Sequence, residues 1–130
     1  MMPGSGMGIL IAEDDEEIRR LLAVVFRLEN FVVFQAEDGL DAKNIFEQHA
    51  SEIHLVITDL GLPGLGGVEL IEQIRAISPS VKIIGASGFG KSNVVDEVMN
   101  AGGNEFLSKP FNTEDLMSLI HRLLQNGGAS

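Results

Sequence analysis

Five short apolar runs, each followed by residues whose apolar positions recur with helical spacing, set the plan of the chain. Gly8-Ile-Leu-Ile-Ala12 is apolar throughout and too short to stand as a helix, so it predicts a strand buried on both faces. It stops at three successive acids, Glu13, Asp14 and Asp15. Ile18, Leu21, Leu22 and Val25 then repeat at i, i+3, i+4 and i+7, the stripe of a helix packed on one side. Glu16 and Glu17 suit the positive N-terminal end of that helix, with Asp15 as its expected cap. Phe31 to Ala36 predicts a second strand, closed by Glu37-Asp-Gly, and Ala42, Ile45 and Phe46 mark a second, weaker helix.

The third run, Ile53-His-Leu-Val-Ile-Thr-Asp59, is β-branched and apolar and ends at an acid just before Leu-Gly-Leu-Pro-Gly64. Beyond the Gly-rich turn, Leu70, Ile71, Ile74 and Ile77 predict a third helix, stopped at Ser78 because the residue before Pro79 disfavours the α region. Val81 to Ala86 predicts a fourth strand. Val94, Val95, Val98 and Met99 predict a short helix ending at Ala101-Gly-Gly, since glycine readily takes the left-handed terminating conformation. Glu105-Phe-Leu-Ser108 is the fifth strand, closed by Lys109-Pro110. Asn112 caps a last helix carrying Leu116, Leu119, Ile120 and Leu123, with Glu114 and Asp115 in its first turn.

Strands alternating with helices predict an α/β fold, a parallel sheet covered on both faces. Residues 1–7, small and aperiodic, are expected to be a flexible terminus, 8–125 the folded domain and 126–130 a flexible tail. The C-terminal ends of the five strands are Glu13 and Asp14, then Glu37, Asp59, Ser87 and Lys109. In a parallel sheet these ends share one edge. A flavodoxin-like doubly wound (βα)5 sandwich, strand order 2-1-3-4-5, makes the first and third strands neighbours at the topological switch point, so Glu13, Asp14 and Asp59 converge there with Lys109 nearby.

Composition narrows the partners. The chain has 130 residues and no Cys, so no disulfide is formed; the absence of Cys suits a reducing cytoplasm. Its longest apolar run, Leu21 to Phe26, is far too short to span a bilayer. A formal net charge of −10 repels phosphate backbones and anionic membranes, which argues against direct nucleic-acid binding and membrane insertion, and favours divalent cations and basic protein surfaces. Two carboxylates about 4 Å apart repel by roughly 4 kcal/mol at an effective dielectric near 20, so the predicted acid cluster needs a counter-charge. Lys109 supplies part, and a hard cation such as Mg2+, which takes carboxylates and phosphate oxygens, can supply more. His49, His54 and His121 fall on different elements without ligand spacing and read as surface or packing residues. Taken alone, Asp59 reads equally well as a helix cap or turn residue.

Ile9-Leu-Ile-Ala-Glu-Asp-Asp15, Leu55-Val-Ile-Thr-Asp-Leu-Gly-Leu-Pro-Gly64, Ile83-Ile-Gly-Ala-Ser-Gly88 and Phe106-Leu-Ser-Lys-Pro-Phe111 together resemble the receiver domain of two-component response regulators, in order and on the expected elements from about Gly8 to Leu124. The resemblance implies a phosphoacceptor signalling domain of a two-component or phosphorelay system. Asp59 would take a phosphoryl group from a phosphohistidine of a histidine kinase or phosphotransfer protein. Glu13, Asp14, Asp59 and the Gly61 carbonyl would form the Mg2+ site. Ser87 would hydrogen-bond the phosphoryl group, Lys109 would pair with it, and Ser87 and Phe106 would act as switch residues. It also implies a cis Lys109-Pro110 bond, a cytoplasmic setting, and a domain that supports phosphotransfer to itself and its own dephosphorylation without being a stand-alone metabolic enzyme. An output domain or downstream protein would read the switch. The chain departs from the family pattern at Gly66-Gly67, where an acid usually precedes the second glycine, which points to a looser turn. It departs again at Phe106, where the aromatic is often Tyr.

A reading from another class is a nucleotide-binding P-loop, since Gly85-Ala-Ser-Gly-Phe-Gly-Lys-Ser92 matches that pattern between a predicted strand and helix. Such a protein needs a later apolar strand ending in Asp to hold Mg2+, and none follows Ser92. A third reading is a receiver-like interaction module that is never phosphorylated; the presence of Asp59, Lys109, Ser87 and the acid pair weighs against it.

Overall fold

The computed structural model describes residues 6–88 and 93–129. Five strands alternate with five helices: β1 (Gly8–Ala12), α1 (Glu16–Leu28), β2 (Val32–Ala36), α2 (Gly39–His49), β3 (Ile53–Asp59), α3 (Gly67–Ile77), β4 (Lys82–Ser87), α4 (Val94–Ala101), β5 (Glu105–Ser108) and α5 (Thr113–Ala129). The strands form one parallel sheet in the order β2-β1-β3-β4-β5, the predicted flavodoxin-like doubly wound arrangement.

The helices cover the sheet from both sides and divide the core in two. On one side Phe46, Leu70, Ile71, Ile74 and Val98 pack over Leu10, Val56 and Ile83. On the other, Leu22, Phe26, Leu116 and Ile120 pack over Ile9, Ile11, Leu55 and Ile84. Alternate residues of β1 and β3 thus serve opposite cores, which explains why these strands are apolar throughout. β2 is an edge strand and differs: its apolar run looks like the others, yet Val32 is 51% exposed.

Local chemistry sets the helix ends. Asp15 caps α1, its carboxylate accepting from the Ile18 amide at 3.1 Å, and Asp38 caps α2 through the Asp41 amide at 2.8 Å. Asn112 accepts from the Asp115 amide at 2.7 Å at the start of α5. α4 ends on Gly102 at φ 109, the expected left-handed terminator. Ser78, before Pro79, is extended and ends α3. α5 continues to Ala129, past Asn126, where the sequence predicts a tail. Residues 1–5 and 130 lie outside the described residues.

Candidate functional site

The acidic pocket is built where the chain leaves β1 and β3. Because β1 lies beside β3 with Ala12 opposite Thr58, Glu13 and Asp14 emerge next to Asp59. One carboxylate oxygen from each of the three lies within 4.8 Å of the others. The pairing of β4 with β5 sets Ser87 opposite Ser108, and Lys109 follows at once, its amide donating to the Ser87 carbonyl at 2.9 Å. The Lys109-Pro110 bond is cis, as the resemblance implies. All the predicted strand-end residues lie along the same edge of the parallel sheet, but Glu37, after the edge strand β2, is not among the acids that gather at the pocket.

Lys109 reaches across this edge. Its Nζ lies 2.6 Å from Glu13 Oε1 and 3.0 Å from Asp59 Oδ1, so one ammonium bridges two carboxylates. The three acids differ in setting. Glu13 is only 4% exposed, and its other oxygen, Oε2, accepts from the Asp15 amide at 3.1 Å. Asp59 is half-buried and Asp14 is exposed. Burial raises the Glu13 pKa above the ordinary 4.5, and the Lys109 ammonium and Asp15 amide only partly oppose it. Burial is also the largest single influence on Lys109 and pulls its pKa down. Its bonds to Glu13 and Asp59 and their charges together outweigh it, and the net direction is upward from 10.5.

The donor set suits Mg2+: hard carboxylate oxygens, no nitrogen or sulfur ligand, and an exposed acid facing water. Gly61 sits in reach of this set, since a Cβ on it would stand 3.6 Å from Asp59 Oδ2. Glu13, with both oxygens already engaged, is the least available of the three for direct ligation.

Several contacts at the site carry no motif in the sequence. Arg19 reaches back from α1 to donate to the Glu13 carbonyl at 2.9 Å, and the fully buried Thr58 hydroxyl donates to the Asp59 carbonyl at 3.0 Å. The only hint of Arg19 is its place one turn into the helix that follows the acids. The turn after β3 is closed by the Gly67 amide on the Leu60 carbonyl at 3.2 Å, while α3 starts at Gly66 without a side-chain cap. Phe106 is half-buried and packs against the core beneath α4.

The histidines stay apart from the site. His49 lies 3.3 Å from Glu52 and against the Phe34 ring, His121 lies 3.7 Å from Glu29, and His54 is exposed. The P-loop reading finds no support. Gly85, its first glycine, lies within β4, where a Cβ would stand 2.9 Å from Val98 and 3.3 Å from Leu60, so it is core rather than a phosphate-wrapping loop. Lys91 and Ser92 lie outside the described residues. Among the described residues, no helix is long and apolar enough to cross a membrane.

The family model described as the response regulator receiver domain matches residues 9–121. Over 116 residues the chain is 29% identical to sporulation initiation phosphotransferase F of Bacillus subtilis, covering 89% of this chain and 92% of that protein. Over 120 residues it is 31% identical to a cyclic di-GMP phosphodiesterase of Thermotoga maritima, covering 92% of this chain but spanning only 32% of that relative's length. A solved chain from the co-crystal of the Saccharomyces cerevisiae histidine phosphotransfer signaling protein Ypd1 with the receiver domain of its downstream response regulator Ssk1 superimposes with a TM-score of 0.84. It is 25% identical, and the match covers 95% of this chain and 90% of that one.

Proposed function

The chain belongs to the response regulator receiver domain family, and from that premise we propose that Asp59 is its phosphoacceptor, taking a phosphoryl group from a phosphohistidine on a partner protein. The observation that carries this reading is the Asp59 carboxylate at the end of a central strand, with one oxygen on Lys109 and the acids that follow β1 within 4.8 Å. In the transfer an Asp59 oxygen forms a bond to phosphorus as the bond from phosphorus to the imidazole nitrogen breaks, and the freed imidazole takes a proton from water. Before transfer, Glu13 and Asp59 hold the Lys109 pKa above its ordinary value, so the ammonium is charged when the phosphoryl group arrives. It is therefore available to pair with a phosphoryl oxygen once Asp59 becomes an acyl phosphate. Ser87, at the end of β4, would donate its hydroxyl to the same group.

Asp14, Asp59 and the Gly61 carbonyl would hold Mg2+, with Glu13 behind them. When bound there, the ion supplies positive charge to the oxygens of the transferring phosphoryl group. Dephosphorylation reverses the chemistry with water as acceptor: water attacks phosphorus and the Asp59 carboxylate leaves. The reading places the chain in the cytoplasm, where ATP-fed histidine kinases present their phosphohistidines.

A groove of about 430 Å³ opens beside Lys109, walled by Ile18, Leu21 and Leu22 of α1 and by Pro110 and Phe111. Leu21 is 58% exposed at its edge. The groove fits an apolar side chain next to the phosphohistidine on a partner's helix, docked so that the histidine reaches Asp59. Intact-mass measurement after incubation with acetyl phosphate tests the acceptor: one added phosphoryl group is expected, dependent on Mg2+ and absent in Asp59→Asn. Full labelling of Asp59→Asn or Asp59→Ala would refute the assignment.

A further inference from the structure

We propose that Gly39, in the first turn of α2, is a positioning residue for the Mg2+-facing loop between β3 and α3, because its bare α-carbon lets the Leu65 carbonyl seat against the helix. This rests on the reading of the Asp59 pocket given above. Residues 60–66 must bring the Gly61 carbonyl beside the Asp59 carboxylate with no regular secondary structure to hold it there. The loop is gripped at three places. Its start continues the sheet, the Leu60 amide donating to the Ala86 carbonyl at 3.0 Å. Its middle is anchored by the buried Leu62 side chain. Its two ends are each gripped against a glycine.

Gly67 lies against the beginning of the loop: a Cβ there would stand 2.5 Å from both the Asp59 carbonyl oxygen and the Leu60 α-carbon. Gly39 lies against the end. A Cβ on it would overlap the Leu65 carbonyl oxygen and come within 2.8 Å of the Leu65 carbonyl carbon and Cβ. Backbone cannot swing aside as a flexible side chain can. Glycine is among the poorest helix formers, and Gly39 does not have the positive φ that would explain it. Close approach is the remaining physical reason for a glycine at this buried helical position.

α2 is a firm backstop, capped by Asp38 and sunk into the core through Ala42 and Phe46. The loop is thus wedged between the sheet and α2, and the Gly61 carbonyl is fixed by contacts that never touch the metal. Mg2+ demands near-octahedral oxygens at about 2.0–2.1 Å, so a loop pushed outward by a fraction of an ångström loses a ligand position.

The test is calorimetric titration of the unphosphorylated chain with MgCl2, run on Gly39→Ala with Gly8→Ala as its matched control. Gly8→Ala also drives a Cβ into backbone, the Glu52 carbonyl, but at the opposite edge of the sheet. Both variants should lose stability, yet only Gly39→Ala should bind Mg2+ about tenfold or more weakly. Its labelling by acetyl phosphate should recover at saturating Mg2+, with the Gly61 amide NMR signal displaced. Gly39→Ala binding Mg2+ within twofold of the unaltered chain, or Gly8→Ala weakened equally, would overturn the proposal. If Gly39→Ala does not fold, Asp38→Ala, which frees the α2 cap, should bind Mg2+ about threefold more weakly than Asp38→Asn, which keeps both the cap and the charge change. Equal affinity in that pair would overturn it too. An unaltered chain that took neither Mg2+ nor a phosphoryl group would instead refute the pocket itself, and this inference with it.

Discussion

Lys109 gives the sharpest test of how the acidic pocket is balanced, because removing one side chain should move fold stability and metal affinity in opposite directions. At an effective dielectric near 20, its contacts at 2.6 Å with Glu13 and 3.0 Å with Asp59 correspond to gross attractions of about 6.4 and 5.5 kcal/mol. Desolvation offsets most of this, and breaking one partner out of a buried pair typically costs about 3–5 kcal/mol because the remaining charge is uncompensated. Lys109→Ala should therefore lose a few kcal/mol in metal-free urea unfolding, with Glu13, the most buried acid, responsible for most of the loss. For Mg2+ the sign reverses. At a dielectric near 80 a unit charge repels a divalent ion by roughly 1.4 kcal/mol for a separation of about 6 Å, so losing the ammonium from a pocket that Asp14 leaves open to water should tighten Mg2+ binding by up to about tenfold.

Unfolding curves with and without MgCl2, paired with metal titrations of Lys109→Ala and Asp14→Ala, separate these effects. Lys109→Ala should be destabilised without metal, bind Mg2+ more tightly, and regain more stability from it than the unaltered chain does. Asp14→Ala, which lacks an exposed acid rather than a buried counter-charge, should be nearly as stable as the unaltered chain but bind Mg2+ poorly. If Lys109→Ala lost Mg2+ affinity as severely as Asp14→Ala, the division between a neutralising lysine and ligating acids would be wrong.

Three further outcomes follow from the same geometry. Leu21→Asp should slow phosphotransfer from a phosphohistidine protein by an order of magnitude while leaving labelling by acetyl phosphate unchanged; equal loss with both donors would rule out the α1 groove as the docking surface. The Lys109 pKa is raised on folding, so the folded chain holds this proton more tightly than the unfolded one. Its stabilising contribution is then complete below pH 10.5 and lost as pH rises through the folded value, so an alkaline decline in stability measured by urea unfolding should shrink in Lys109→Met. Finally, Phe106 has no hydroxyl to bury and already packs against the core, so its ring should show NMR contacts to Val98 before phosphorylation; contacts that arise only afterwards would refute a ring turned inward at rest.

The sheet and its order were legible because alternation of apolar strands with helical stripes, each closed by Gly, Pro or an acid, leaves few topologies open. β5 was bounded correctly, while β4 runs Lys82–Ser87 rather than Val81–Ala86, so Ser87 is the last strand residue instead of the first beyond it. The predicted order put β2 at the edge, but its exposure was not legible from its own residues, because Val-Val-Phe has the same composition whether one side of the strand is paired or both. At the site, the strand-end rule brought together residues 96 apart, Glu13 and Lys109. It could not say that Glu13 would be the buried acid and Asp14 the exposed one, since adjacent residues of one type differ only in which way the chain turns after β1. Arg19 and Gly39 were missed for a related reason: both act on backbone carbonyls, which every residue has, so no pattern of side chains announces them.

The two ends of the site are held with unequal firmness, and the inequality bears on how a charge change at Asp59 could be read elsewhere. The β3–α3 loop is wedged between the sheet and α2, whereas α4, on the other side of β4, buries a single side chain, Val98. That residue sits in a notch left by two glycines, Gly85 in β4 and Gly103 after the helix, each without the Cβ that would meet it at 2.9 and 2.6 Å. The C-terminal end of α4 is tied down: Gly103 donates to the Val98 carbonyl, and Arg75 of α3 reaches the Gly102 carbonyl at 3.0 Å and Asn104 at 2.9 Å. Its N-terminal end starts at Asn93 with no side-chain cap. A helix with one buried anchor and one fastened end has a low free energy of local displacement, and elements that move are drawn from that end of the stability range. Rigidity where the proposed metal ligands must be fixed and looseness at the start of α4 are therefore both written in glycines: at Gly39 and Gly67 the missing side chain lets backbone close on backbone, and at Gly85 and Gly103 it leaves one valine as the pivot.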